Sequence, residues 1–209
     1  GRSWDRSDSY YETANFCDHN FIIGDNDLDL MRRLYKAGGE HRKYLRQIFV
    51  SFDITAPFYF WKEFSTYKFV APDNDGIHID TNSCSTMHKI HTKEFALDDL
   101  SYEHILDEPV LVEEDGCHYE NKALDCLKDT IDMLNTYRKL YLQTKDKKYW
   151  WQLIQLLPSS YNQKRTVTMS YETVVSIIKQ RTGHRLDEWN NLVDILKTLP
   201  YVKEIMEIE

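Results

Sequence analysis

The 209 residues carry 26 Lys and Arg against 34 Asp and Glu, a net charge of −8, with 42% hydrophobic and 29% charged residues. That length suits one sizeable domain with a real core and no need of disulfide or metal staples, and the acidic balance argues against a large nucleic-acid surface while leaving room for a small nucleotide held by a few cations. No apolar run reaches the roughly 18–20 residues of a membrane span, no signal peptide is expected, and Cys17, Cys84, Cys117 and Cys126 form neither a CxxC pair nor a zinc pattern, so free thiols in a reducing cytoplasm are the expectation.

With only 7 Gly and 5 Pro, long regular elements should dominate over loops. Residues 1–20 are polar and aromatic without a clear period and read as an irregular N-terminal segment; the chain starts at Gly1 without an initiator Met, which leaves its natural start open. Asp25-Asn26-Asp27 is capping chemistry ahead of Leu28, Leu30, Met31, Leu34 and Tyr35 at helical spacing, and Ala37-Gly38-Gly39 ends that helix. From Arg46 to Thr55, Ile48, Val50, Phe52 and Ile54 alternate with more polar neighbours, which predicts a half-buried strand broken at Ala56-Pro57.

Phe58 to Phe69 is aromatic and fits helix or strand; Ala71 to Asp80 is a turn-rich loop. Leu97 to Leu106 reads as a short helix ended by Glu108-Pro109, and Asp115-Gly116 as a turn. Leu124, Leu127, Ile131, Leu134 and Leu140 predict the longest helix over Asn121–Thr144, followed by a helix over Lys148–Leu156 that stops at Pro158. Val174, Val175, Ile177 and Ile178 form one apolar face over Tyr171–Gln180; Gly183 punctuates it, and Leu186, Trp189, Leu192, Val193 and Leu196 give a final amphipathic helix stopped before Pro200. No repeat or linker is visible, so one α/β (α+β) domain over residues 1–209 is expected, several long helices covering a small mixed or antiparallel sheet.

The chain has no GxGxxG, Walker loop, HExxH or GxSxG. His88 and His91 are three apart, a spacing too generic for a metal site among eight histidines. Ser85 stands three residues before His88, a nucleophile near a base, but such adjacency in sequence is usually incidental. Lys164-Arg165, Arg181 and Arg185 supply cations around one helix; they are either ordinary solvated charge or a means of neutralising a phosphate.

Two segments resemble the flavin-dependent thymidylate synthase family. In HRKYLRQIFVSFDITAPFYFWKEFSTYK, residues 41–68, His41 matches the family's opening His, and Phe52, Ala56 and Pro57 match its strand and break. In LPSSYNQKRTVTMSYETVVSIIKQR, residues 157–181, the distance from Leu-Pro to a helix-ending Arg also matches without gaps. A weaker match, Asn82-Ser83-Cys84-Ser85, resembles the family's Asn-Glu-x-Ser, with 70–80 as an insertion. The chain departs from the family at its Arg-His-Arg triplet, which is Thr66-Tyr67-Lys68 here, at the preceding Gln, which is Glu63, at a second His, which is Gln47, and at the Arg before Leu-Pro, which falls near Ile154 and Gln155.

The resemblance implies reductive methylation of a uracil deoxynucleotide, dUMP to dTMP, with FAD as cofactor and NADPH and methylenetetrahydrofolate as co-substrates, in a cytoplasmic homotetramer. It implies Ser85 as the catalytic serine, Thr66, Tyr67, Lys68 and Ser170 beside FAD, and Glu63, Gln155 and Arg181 facing the nucleotide, with no metal. The alternative is a non-catalytic relative that keeps the fold and acts as a nucleotide-binding or structural oligomer.

Overall fold

The computed structural model describes residues 6–15, 18–66, 79–83, 86–114 and 117–208. In chain order its elements are β1 (Tyr10–Asn15), β2 (Asp18–Ile22), α1 (Asp25–Lys36), β3 (Phe49–Pro57), α2 (Phe58–Phe64), β4 (Ile79–Ser83), α3 (Thr86–Lys89), β5 (Val110–Glu114), β6 (Cys117–Asn121), α4 (Ala123–Thr144), α5 (Lys147–Gln155), β7 (Asn162–Ser170), α6 (Tyr171–Arg181), α7 (Asp187–Lys197) and α8 (Val202–Met206). The strands form two antiparallel hairpins, β1-β2 and β5-β6, and a three-stranded sheet of order β3-β7-β4. Cross-strand partners on β3 and β7 step in opposite directions, Ser51 with Thr168 and Asp53 with Thr166, so that pair is antiparallel. This is the expected α+β class, a small sheet with several helices.

The described residues divide into two compact units, one drawn from 1–52, 65–80 and 167–209, the other from 53–64 and 81–166. In the first, α6 packs on α7 and on the 3-10 turn Lys43–Gln47, and α1 packs on α8. Val174, Ile177, Trp189, Leu196 and Val202 are fully buried there, as the helical spacing of the last third of the sequence requires. Ser170 caps α6 by accepting from Thr173 N.

The start of α1 is capped from a distance. Asp25-Asn26-Asp27 lies inside the helix, and the carboxylate of Asp8 accepts from the N–H groups of Asn26 (2.8 Å) and Asp27 (3.0 Å). A Cβ on Gly24 would collide with Asp8, so glycine is needed for this close approach.

In the second unit, Ile90, Phe95, Leu100, Ile131, Leu134 and Leu153 form the core, with α4 packed on α5. Asn135 of α4 donates to Phe95 O and accepts from Phe95 N, each at 2.9 Å, which pins an irregular segment to the helix. Phe60, Trp61 and Phe64 of α2 are buried as a cluster of rings 5.4–5.6 Å apart.

Several expectations need correction. Residues 10–15 and 18–22 pair as antiparallel strands, not as an irregular segment; the rings of Tyr11 and Phe21 meet at 5.0 Å, tilted by 59°, and both remain exposed, so no inward face imposes an apolar alternation. The strand at β3 starts later than Arg46 and includes Pro57, because a strand's last residue needs no N–H of its own and Phe58 N resumes bonding to Tyr161 O. Between Leu97 and Leu106 only the 3-10 turn Leu97–Asp99 is helical: Asp99 accepts from Ala96 N, and Leu100 then bridges to Tyr161 instead of continuing a helix. The aromatic stretch is helical over Phe58–Phe64, the proposed turn at Asp115-Gly116 lies outside the described residues, and the hairpin β5-β6 and helix α8 were not anticipated. No described helix is long and apolar enough to cross a membrane.

Candidate functional site

A groove of about 490 Å³ in the second unit brings polar side chains together. Its walls are the end of β4 with the start of α3 (Asn82, Ser83, Thr86) and the first half of β7 (Asn162, Gln163, Lys164, Thr166), with Tyr161 leading into that strand. A smaller pocket of about 150 Å³ shares Thr86 and Tyr161 with it and is lined beyond them by Lys89, Lys93, Phe95 and Asp99. Alternation on β7 explains the composition: Lys164 and Thr166 project to one face, where both bond Asp53, while Val167 and Met169 turn inward.

The groove is organised by side-chain hydrogen bonds. Gln163 Nε2 donates to Thr86 Oγ1 at 2.6 Å, and Gln163 Oε1 accepts from Arg165 Nε at 2.9 Å. Ser101 Oγ donates to Asn162 Oδ1 at 2.9 Å. Lys164 pairs with Asp53 at 2.7 Å, and this ammonium, followed by the Thr166 hydroxyl, holds the Asp53 carboxyl below its ordinary value. Between the two pockets the Tyr161 hydroxyl has no hydrogen-bond partner among the described residues; burial, reinforced by nearby Asp99, pushes it up, so it stays a protonated donor.

The residues expected at the site fall as follows. Ser85 lies outside the described residues, but Ser83 and Thr86, which bracket it, both line the groove. Tyr67 and Lys68 also lie outside them. Thr66 is exposed just after α2 and belongs to the first unit. Glu63 is half-buried on α2 and Gln155 is exposed at the end of α5; both belong to the second unit and neither lines the groove.

Ser170 and Arg181 stand at opposite ends of α6. The Arg181 guanidinium is half-buried, 4.5 Å over the ring of buried Trp189, with Nη1 2.8 Å from His184 Nε2. Asn190 fixes that corner by accepting from His184 N and donating to His184 O. Ser170 is 1% exposed and engaged as the α6 cap, so its hydroxyl offers a flavin no reachable surface. Two residues on, the side chain of Glu172 is 3% exposed and pairs through one oxygen with Arg42 at 2.7 Å, while its other oxygen is buried without a partner among the described residues.

His88 is exposed, and His91 is packed edge-on against Tyr141 at 5.0 Å. No group of His, Cys, Asp and Glu among the described residues is arranged to hold a metal. The groove residues Asn162 and Gln163 and the pair Arg42–Glu172 were not anticipated: neutral amides carry no motif, and the pair joins positions 130 residues apart.

No protein-family model matches the chain, and no curated protein matches it. Solved structures do, among them two of the flavin-dependent thymidylate synthase ThyX from Helicobacter pylori with FAD and dUMP. The first superposes with a TM-score of 0.56 at 14% identity, over 87% of this chain and 81% of that one. The second gives 0.55 at 15% identity with the same coverage. The chain shares their fold.

Proposed function

We propose that this chain is a divergent relative of the flavin-dependent thymidylate synthases that binds a uracil deoxynucleotide in the groove lined by Ser83 and Thr86. The observation that carries the reading is the position of that groove: its wall is made by the residues on both sides of Ser85, where the sequence resembles the family's active-site serine segment. The fold shared with the two dUMP-bound ThyX structures supports it. In the full form of the proposal the chain converts dUMP to dTMP with FAD, NADPH and methylenetetrahydrofolate, as a homotetramer. FAD would supply the redox step when bound; the chain's own task is to orient the uracil and keep the reacting face dry.

In that reading Ser85 meets the base, Thr66, Tyr67 and Lys68 meet FAD, and Glu63, Gln155 and Arg181, which are not part of the groove's lining, meet portions of the nucleotide that extend beyond it. Ser170 as observed does not fit a flavin contact, and the carboxylate of Glu172 lies close by on the same helix turn. That observation favours a second reading: nucleotide binding without flavin chemistry. The two separate in one experiment. The absorption spectrum of the protein is recorded with and without added FAD, and dUMP binding is measured by calorimetry. Bound flavin together with dUMP supports the enzyme; dUMP without flavin supports the non-catalytic relative; binding of neither sinks both.

A further inference from the structure

Arg165 sits on β7 with its guanidinium 4.5 Å over the ring of Trp61, which is itself 2% exposed. Its Nε donates to Gln163 Oε1, whose amide nitrogen is tied in turn to Thr86. The backbone of Gln163 is tied as well, since Trp61 Nε1 donates to Gln163 O at 2.9 Å. Arg165 is therefore held at its plane by Trp61 and at Nε by a Gln163 that is itself fixed at both its side chain and its backbone.

What remains is the outer edge of the fork. Nη1 and Nη2 have no partner among the described residues, and neither is a sealed buried atom, so both are reachable from solvent. The contrast with its neighbour is informative: Lys164 is neutralised by Asp53 at 2.7 Å, whereas no carboxylate among the described residues pairs with Arg165. Partial burial pulls its affinity for the proton down, which marks a cation held away from bulk water. A planar fork, pre-oriented by stacking and by one hydrogen bond, loses little entropy when it takes a two-pronged oxyanion.

We propose that Arg165 receives a phosphate-monoester oxyanion through its Nη1 and Nη2 edge, with Trp61 and Gln163 as the residues that position it. This supplies a fork in a chain that lacks Arg at Thr66 and Lys68. Gln163, which anchors Arg165, also lines the groove, so the phosphate of a nucleoside monophosphate is the natural source. That last step rests on the function proposed above; the oxyanion site does not.

The test compares dUMP, deoxyuridine and inorganic phosphate by titration calorimetry on wild type, Arg165→Gln, Arg165→Lys and the charge control Lys147→Gln, with melting curves to verify folding. Wild type and Lys147→Gln should bind dUMP at least about tenfold more tightly than deoxyuridine. Arg165→Gln should narrow the gap between dUMP and deoxyuridine by about tenfold or more and leave deoxyuridine unchanged. Arg165→Lys, which keeps charge but not the fork, should lose part of the preference, and it decides the matter if the Gln variant does not fold. A folded Arg165 variant that keeps the full wild-type preference overturns the proposal. If wild type binds no uracil ligand but binds inorganic phosphate in a manner lost with Arg165, the oxyanion site stands and the nucleotide reading falls. If it binds no phosphate either, both fall.

Discussion

Arg181 shows how one side chain can be legible in a sequence for one reason and held in place for another. Its distance from Leu157-Pro158 drew attention to it; the structure holds it by Trp189 and His184 at the end of α6. If it contacts the nucleotide phosphate, Arg181→Ala weakens dUMP binding by an order of magnitude or more, since a charge-assisted hydrogen bond contributes about 1.5–3 kcal/mol. Unchanged affinity in that variant removes Arg181 from the site. Arg42 is a different case, invisible in the sequence because its partner is distant. The Glu172 side chain is 3% exposed and Arg42 20% exposed, so Arg42→Ala strands a buried carboxylate. The expected cost is about 3–5 kcal/mol, read as a lower denaturant midpoint. A loss below about 1 kcal/mol would mean that the Glu172 carboxylate reaches water once Arg42 is gone.

At the scale of elements, the helices were legible and the strands less so. α4, α5, α6 and α7 follow from apolar spacing because each buries one stripe, and their observed ends fall within two residues of the expected ones. The hairpins β1-β2 and β5-β6 were not, because Tyr11, Phe21, Val110 and Leu111 remain largely exposed and leave no inside–outside contrast to read. β3 was legible because one of its faces is half-buried, and its other face carries a pH-dependent clip. Asp53 accepts from Lys164 and Thr166 on β7, and its folded pKa lies below the ordinary 3.8. A depressed carboxylate stabilises the fold above its unfolded pKa and loses that contribution as pH falls through the folded value. Between about pH 5 and pH 3, Asp53→Asn should therefore show a shallower loss of stability than wild type, with little difference between the two slopes near neutrality. Both side chains are solvent-accessible, so salt should diminish the effect. Parallel acid limbs for the two proteins would remove Asp53 as a source of acid sensitivity.

At the scale of the molecule, a few anchor residues revealed a fold that sequence identity of 14% scarcely registers. Leu157-Pro158, Ala56-Pro57 and the helix ending at Arg181 are set by backbone geometry, which constrains residue type where a strand ends or a helix begins. The chemistry is constrained only by the ligand, and there this chain departs from the family: Thr66-Tyr67-Lys68 replaces an Arg-His-Arg run, and buried Ser170 is committed to a cap. The groove was illegible for a further reason: its amides and hydroxyls come from segments about 80 residues apart and acquire meaning only when β4 and β7 share a sheet. Homotetramer formation tests whether the assembly was kept along with the fold. The resemblance implies a homotetramer with FAD where subunits meet, and in that case mass and flavin content should rise and fall together. Light scattering at several protein concentrations, each with and without FAD, should then give about four times the 25.0 kDa chain mass, with flavin bound only by that species. A tetramer that binds dUMP but no flavin would show that the assembly outlasted the redox chemistry. A monomer that binds flavin would break the link between subunit contact and cofactor, and with it the tetrameric form of the proposal.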